Sequence, residues 1–438
     1  MNKYIESQKP GTDKIVFLGI FILSLLIAYL IVYANSGILF SDPIELPYSG
    51  LSVSIPFNKG WESDLKWQYQ DNSYNLRSRF LPDAGIPAAA VNCSYFAPLR
   101  SVDSMSWFEL QAAGLNSSIE QTGQIRKDNL VIEWARIDTP VFVFLGTAQL
   151  PNNRRINIEV FQTTFEIDVA EKVFMEIVDS LEFNEDNALQ TGVKIISEIQ
   201  YQGFESLVDE TKEACFFINN AKNDKVGFSI DLFEHSEDSG RVNIQAASHL
   251  YLKGSNAQEQ KALFEGDNNL SKFIWQSRTN QINGQFETKI ILEEPGKLNV
   301  IRQIGTESEE SEQIVFSEII PSIFLESLIY HAVRSNVSEA IIDVLDSDGK
   351  ITPTYFSFEP LEEQTEDDFY VVKLEFLDGR NFEESLYLNE QKEITRALIQ
   401  QNVRYNLERT DIQQIINEFP ERADAIPKTQ DFSVESTL

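Results

Sequence analysis

Cysteine and histidine are nearly missing from this chain, with two Cys and three His in 438 residues. That leaves little for a disulfide framework, a metal cluster or imidazole catalysis. Positive charge is scarce as well: 36 Lys and Arg stand against 68 Asp and Glu, a net charge of −32. A nucleic-acid binder needs a basic face for its phosphate contacts, so that class is excluded. Glycine and proline, 20 and 15 residues, are too few for a low-complexity chain. Also absent are a phosphate loop, a dinucleotide glycine fingerprint, a Gly-x-Ser-x-Gly elbow and a zinc-helix motif. What is present is 42% hydrophobic and 11% aromatic residues, ample material for packed cores.

One long apolar run stands out, Ile15–Tyr33, without a charged residue. At about 1.5 Å per helical residue it spans roughly the 30 Å hydrocarbon core of a bilayer. The expectation is a transmembrane helix. Lys3, Lys9 and Lys14 precede it and the next basic residue is Lys59, so the positive-inside bias places the N-terminus in the cytoplasm. The chain is then a single-pass protein of the cytoplasmic or an equivalent inner membrane, its C-terminal modules outside the cytoplasm. The rival is a cleaved signal peptide ending near Ala34-Asn35-Ser36; the long apolar run and the polar leader favour the anchor.

Charge divides unevenly. The net values are 0 for residues 1–42, −7 for 43–183 and −25 for 184–438. Polar, non-periodic 184–193 reads as a linker. The expected order is a leader (1–14), the membrane helix (15–34), a linker (35–44), a first module (45–183), the second linker, an acidic β-rich module (194–425) and a tail (426–438). Cys93 and Cys215 fall in different modules, so burial as small apolar side chains is the expectation for both.

In the first module Leu51-Ser-Val-Ser-Ile55-Pro-Phe57 alternates as a half-buried strand does, and Asn58-Lys59-Gly60-Trp61 follows as a turn with an aromatic anchor. Extended runs follow through Thr163, with a short helix at Met105–Leu115 between them. Asp168–Phe183 reads as an amphipathic helix, with Ala170, Val173, Phe174, Ile177, Val178 and Leu181 on one face and Asp168 and Glu171 as a capping box. The strand, the Ile-Pro-Phe-x-x-Gly-Trp opening and the closing Ile177-Val178-Asp179-Ser180-Leu181-Glu182-Phe183 resemble the PsbP-like α/β/α sandwich family over about one third of the chain. That resemblance implies an accessory or assembly role without catalysis. The matching positions are core and turn residues, so no functional residue comes with it.

The second module reads as antiparallel strands. Asn283-Gly284 marks a hairpin between Phe273–Ile282 and Gln285–Leu292, and Asp378-Gly379 marks another between Phe369–Leu377 and Arg380–Leu388. Helices are expected near 321–334 and 411–418. Strands with a helix able to cover one face resemble, at the level of fold alone, the LolA-like half-barrel of lipoprotein carriers. That resemblance implies a cradle for acyl chains.

Chemistry-bearing groups are sparse. Asp346-Ser-Asp348-Gly349 fails the EF-hand pattern at its fifth and twelfth positions, Lys350 and Ser357, and reads as a tight turn. Two acidic clusters, Glu307, Glu309, Glu310, Glu312 and then Glu359, Glu362, Glu363, Glu366, Asp367, Asp368, offer a docking surface for a basic partner or a weak divalent-cation site. The plainer reading is solvated loops. His235, His249 and His331 share no metal-ligand spacing with each other or with a Cys. A Cys-His hydrolase would need a His and an orienting carboxylate beside Cys215, and nothing local supports that pair, so it would need dispersed residues.

The sequence therefore points to an α+β protein: a single N-terminal transmembrane helix followed by two antiparallel-sheet modules with packed helices. Its expected role is binding or scaffolding an envelope protein or lipid partner, without catalytic residues, cofactor or metal. A lipid or lipopeptide carrier is the second reading and a hydrolase the third.

Overall fold

The computed structural model describes residues 39–426, apart from 58–64, 71–72, 81–88, 97–102, 139–141, 151–153, 163–166, 185–186, 211, 239–240, 255–256, 283, 295–296, 306, 315–318, 364, 366, 379–382 and 401–402. Four short strands open the chain: β1 (Leu39–Phe40), β2 (Ile44–Leu46), β3 (Leu51–Val53) and β4 (Pro56–Phe57). Then come β5 (Gln68–Gln70), β6 (Ser73–Phe80), β7 (Ala89–Phe96), β8 (Ile119–Lys127), β9 (Leu130–Asp138), β10 (Phe142–Leu150) and β11 (Arg154–Gln162). These seven form one antiparallel sheet in the order β5-β6-β7-β11-β10-β9-β8.

Strand alternation decides what covers each face of this sheet. Ala135, Ile137, Val143 and Leu145 point to the face that Trp107, Phe108 and Ala112 of α1 (Ser104–Gly114) cover. The intervening Ile132, Phe144 and Ala148 point to the other face and meet α2 (Ile167–Ser180) through Val173, Phe174 and Ile177. Gly146 is needed here, because the Phe174 ring lies 2.8 Å from where a Cβ would stand. The helix expected to run to Phe183 stops at Ser180; β12 (Glu182–Phe183) then turns back to pair with β3.

The 184–193 stretch, expected as a linker, instead begins α3 (Asn187–Gln202), which docks Ala188 and Leu189 on Ile341. A short α4 (Glu205–Glu210) follows. Next is a meander of eight strands: β13 (Glu213–Asn219), β14 (Lys225–Asp238), β15 (Arg241–Leu252), β16 (Gln258–Asp267), β17 (Phe273–Gln281), β18 (Gly284–Glu294), β19 (Lys297–Ile304) and β20 (Glu307–Ile314). Gly284, expected in the turn, instead opens β18 opposite Gln281; Asn283 lies outside the described residues. After β21 (Ile319–Pro321) and α5 (Leu325–Arg334), six more strands run as β22 (Glu339–Leu345), β23 (Ile351–Pro360), β24 (Tyr370–Phe376), β25 (Glu383–Leu388), β26 (Ile394–Gln400) and β27 (Arg404–Arg409). A last helix, α6 (Ile412–Glu418), is capped by the Asp411 side chain.

All fifteen of these later strands belong to one sheet, because β27 pairs back onto β13. Its two edges, β20 and β21, are consecutive in the chain. The sheet curls, and one apolar cluster joins Phe264, Trp275 and Val300 of one arm with Val344, Phe356 and Leu386 of the other around α3, α4 and α5. The turn between β22 and β23 reaches across the inside. Gln260 and Ser277 bond Ser347 at 2.8 and 3.1 Å, and Arg302 donates to the Asp348 carbonyl at 2.7 Å. Asp346-Ser-Asp348-Gly349 is thus the expected tight turn, with Gly349 at φ 76° and its α-carbon against Val300.

The two units meet through Arg154 and Asp343, an ion pair at 3.2 Å with side chains only 3% and 11% exposed. Tyr48 stacks on Tyr355 at 4.5 Å, and the Tyr74 hydroxyl bonds the Leu377 carbonyl.

Two expectations are corrected. The α+β class gives way to a β-dominated chain, in which α3 to α5 sit within a curled fifteen-stranded sheet. Among the described residues, no helix is long and apolar enough to cross a membrane. The longest, α3, has 16 residues and includes Lys194 and Glu198; at about 1.5 Å per residue it falls short of a bilayer core. The single-pass, N-inside membrane placement is therefore not carried forward, and Ile15–Tyr33 lies outside the described residues.

Gly192 tests how α3 is seated. A Cβ at this position would stand 1.8 Å from the Ile341 carbonyl oxygen, a backbone atom that cannot turn aside. Alanine in a helix interior normally stabilises by about 0.5–1 kcal/mol over glycine. Here Gly192→Ala is expected to destabilise by about 1–3 kcal/mol, as overpacking does, read as a lowered urea midpoint; a raised midpoint would contradict the seating.

Candidate functional site

Neither acidic cluster brings its carboxylates together at one point. Glu307, Glu309, Glu310 and Glu312 lie on β20, an edge strand rather than the expected loop, and pair opposite Ile304, Arg302, Ile301 and Asn299. Period-two alternation sends Glu307 and Glu309 to one face and Glu310 and Glu312 to the other, so the four cannot converge on one ion. A row of exposed carboxylates on an edge opposes strand addition. In the second cluster Glu359 pairs with Lys373 at 3.1 Å, while Glu362, Glu363 and Asp367 are exposed. Glu366 lies outside the described residues. Asp368 is buried and committed to Arg396 and Thr395, each at 2.8 Å, so it cannot serve a docking surface. Among the described residues, no group of three or more His, Cys, Asp or Glu could hold a metal ion.

Histidine and cysteine are similarly committed. His249 is fully buried and its Nε2 faces Glu259 at 3.1 Å; burial pushes its pKa down to about 4, so it is neutral at pH 7. His235 pairs with Asp209 at 3.5 Å, and His331 lies on α5. Cys93 and Cys215 are both buried free thiols, as expected. Burial and the neighbouring Glu213 push the Cys215 thiol far up, which keeps it protonated and unreactive.

The structure brings together a different set of residues, in a pocket of about 350 Å³ beneath α5. Its origin is strand parity. Phe216, Phe233, Leu386 and Leu407 point into the curled sheet. Two residues along each strand, on the same inward face, the residue type changes from apolar to charged: Asp231 before Phe233, Glu384 before Leu386, Arg409 after Leu407. From α5, Glu326, Ser327 and Tyr330 complete the wall, with Lys212 at the rim and Glu393 and Ile394 opposite.

The electrostatics of this pocket are unusual. Burial raises the Glu326 carboxyl to about 8, with the nearby Asp231 and Glu384 charges adding to the shift and Arg409 opposing it. Burial alone raises Glu384 to about 7. It raises Asp231 to about 6, held back by the Ser248 hydroxyl and Arg409. Arg409 is itself tied to the Glu213 carbonyl and lies 5.1 Å above the Phe216 ring. A second, larger cleft of about 710 Å³ opens on the other side of Lys212 and Glu213, floored by Val208, Leu232, Ile412 and Ile416.

Sequence reasoning missed this site because its members are far apart along the chain. The local signal was a single charge on the buried parity of a strand, as in Phe228-Ser-Ile-Asp231-Leu-Phe233.

No protein-family model matches the chain, and no curated protein matches it. Among solved structures, it is similar to a beta-barrel-like protein of Domain of Unknown Function DUF1849 from Brucella abortus. The likeness covers 45% of this chain and 95% of that one at 7% identity and a TM-score of 0.32, a degree that defines neither fold nor function.

Linkage turns the raised carboxyls into a stability profile. The glutamates have an ordinary value of 4.5 and titrate near 8 and 7 in the folded chain, so folding is favoured below the lower value and that stability is lost as pH rises through the upper ones. Urea midpoints are therefore expected to fall between about pH 5.5 and about pH 8.5. Glu326→Gln, which keeps the shape and removes the titration, should flatten that fall; an unchanged slope would contradict the placement of Glu326.

Proposed function

We propose that the chain is a binding protein without catalytic chemistry, and that its ligand is a small polar solute held in the pocket beneath α5. One observation carries this reading: the inside of the curled sheet is packed with helices and apolar side chains, yet charged groups from β14, α5, β25 and β27 turn inward together at one end. Burying such groups is costly, and ligand sites are where that cost is commonly met.

The lipid-carrier reading is less well supported. The concave face that would receive acyl chains is occupied by Ile195, Ile199, Phe204 and Leu328. For a hydrolase, the pocket beneath α5 offers neither a thiol nor an imidazole among its described walls. The first unit, whose sequence resembles the PsbP-like family, we take to be a platform that holds the binding unit through Arg154 and Asp343.

Thermal unfolding of the full chain against a panel of small cations, zwitterions, anions and a fatty acid tests the proposal. At least one polar solute should stabilise the chain, by about 2.7 kcal/mol at one hundred times its Kd. Ile323→Trp, at a residue that lines the pocket and packs against the core, should abolish that gain while the free protein still unfolds cooperatively. Stabilisation by the fatty acid alone, or by none of the panel, would overturn it.

A further inference from the structure

The charge census of the pocket says more than that it binds a polar solute. Four acids, Glu213, Asp231, Glu326 and Glu393, line it against two bases, Lys212 and Arg409, and Glu384 acts on Glu326 from the same interior. The two bases offset these acids only in part. Lys212 is exposed, and Arg409, also exposed, bonds the Glu213 carbonyl, lies over the Phe216 ring and opposes the shifts of Glu326 and Asp231 without cancelling them. Asp231 is satisfied in part by Ser248. Glu326 and Glu384 are half-buried and have no hydrogen bond or ion pair among the described residues.

Two carboxylates without donors are acceptors that lack a partner, and a carboxylate can only accept. A ligand bearing N–H donors and a positive charge meets both needs, since charge-assisted hydrogen bonds to carboxylates are the strong ones. A bare divalent ion fits less well, because no group of three or more acidic, His or Cys side chains among the described residues could hold a metal. Phe233 and Ile323 supply apolar wall for a short carbon chain between charged ends.

We infer that the pocket beneath α5 takes a small organic cation, an alkyl ammonium or guanidinium compound, whose charged group is held by Glu326 with Glu384 and Asp231 behind it. The inference rests on the binding reading above and adds the ligand's charge and donor class. Binding is coupled to protons. The groups facing Glu326 are Asp231 on β14, Glu384 on β25, Arg409 on β27, Lys212 and Glu213 at the start of β13, and Glu393 before β26. A bound cation favours the ionised carboxylates over the protonated ones, so protons leave as it enters.

Isothermal titration of the full chain with agmatine and putrescine tests this, run in two buffers of different ionisation enthalpy near neutral pH and in salt high enough to screen the −32 surface. The expected result is saturable binding with proton release. Glu326→Gln should weaken it about thirtyfold or more and reduce the protons released. Glu384→Gln should act in the same direction, and the exposed Glu362→Gln/Glu363→Gln pair should change neither quantity. Succinate and calcium serve as the anionic and metal probes. Binding of succinate or calcium in place of the amines, lost in Ile323→Trp, would overturn the cation assignment and leave the pocket standing. Amine binding that persists unchanged in both pocket variants would overturn it too, and failure of every probe would overturn the binding reading with it.

Discussion

The pairing of β13 with β27 is the constraint on which the second unit depends. Phe216, Phe217, Ile218 and Asn219 lie opposite Arg409, Glu408, Leu407 and Asn406, so strands almost two hundred residues apart share a ladder. Without it there would be two meanders, each with a face to cover. With it there is one sheet that curls until its arms share a core, and the space inside has to be filled. Ile199, Leu207 and Leu328 fill it from α3, α4 and α5. Closing so long a loop costs entropy that only the finished ladder and core repay, which makes formation of this pairing a late and cooperative event.

The same register places the chemistry. Ile218 opposite Leu407 sets the parity of both strands, and two residues further Phe216 and Arg409 face inward together. The inward side of β14 then carries Asp231, and α5 lays Glu326 over the end of the barrel-like interior. A slip of one residue would turn Arg409 outward and leave those carboxyls without the one cation that moderates them. Fold and pocket are thus products of one ladder. The opposite end of the interior is settled differently, by a turn whose backbone carbonyls at Ser347 and Asp348 accept from Ser277 and Arg302.

Local features of this architecture were readable in the sequence, and its long-range features were not. The amphipathic spacing from Ala170 to Val178 marked α2, Asp411 marked the start of α6, and Asp348-Gly349 marked a turn, because each signal lies within a few residues. The Ser- and Glu-rich stretch from Glu307 to Glu312 was read as a loop; those residues have low strand propensity, and β19 enforces the pairing. Residues 184–193 were read as a linker because Ala188 and Leu189 bury against a strand more than 150 residues away. Nothing within the 194–425 segment announced that β13 would pair with β27. The pocket was hidden for the same reason, since Asp231, Glu326, Glu384 and Arg409 are neighbours only once that ladder exists.

Native-state hydrogen exchange across Phe216–Asn219 and Asn406–Arg409 tests the ladder most directly. If the fifteen strands are one cooperative sheet, these amides open with the same free energy as those in the middle of β17 and of β24, and only with global unfolding. If instead β22 to β27 exchange as a separate unit of lower stability while β14 to β18 stay protected, the ladder does not join the arms and the account of both fold and pocket is contradicted.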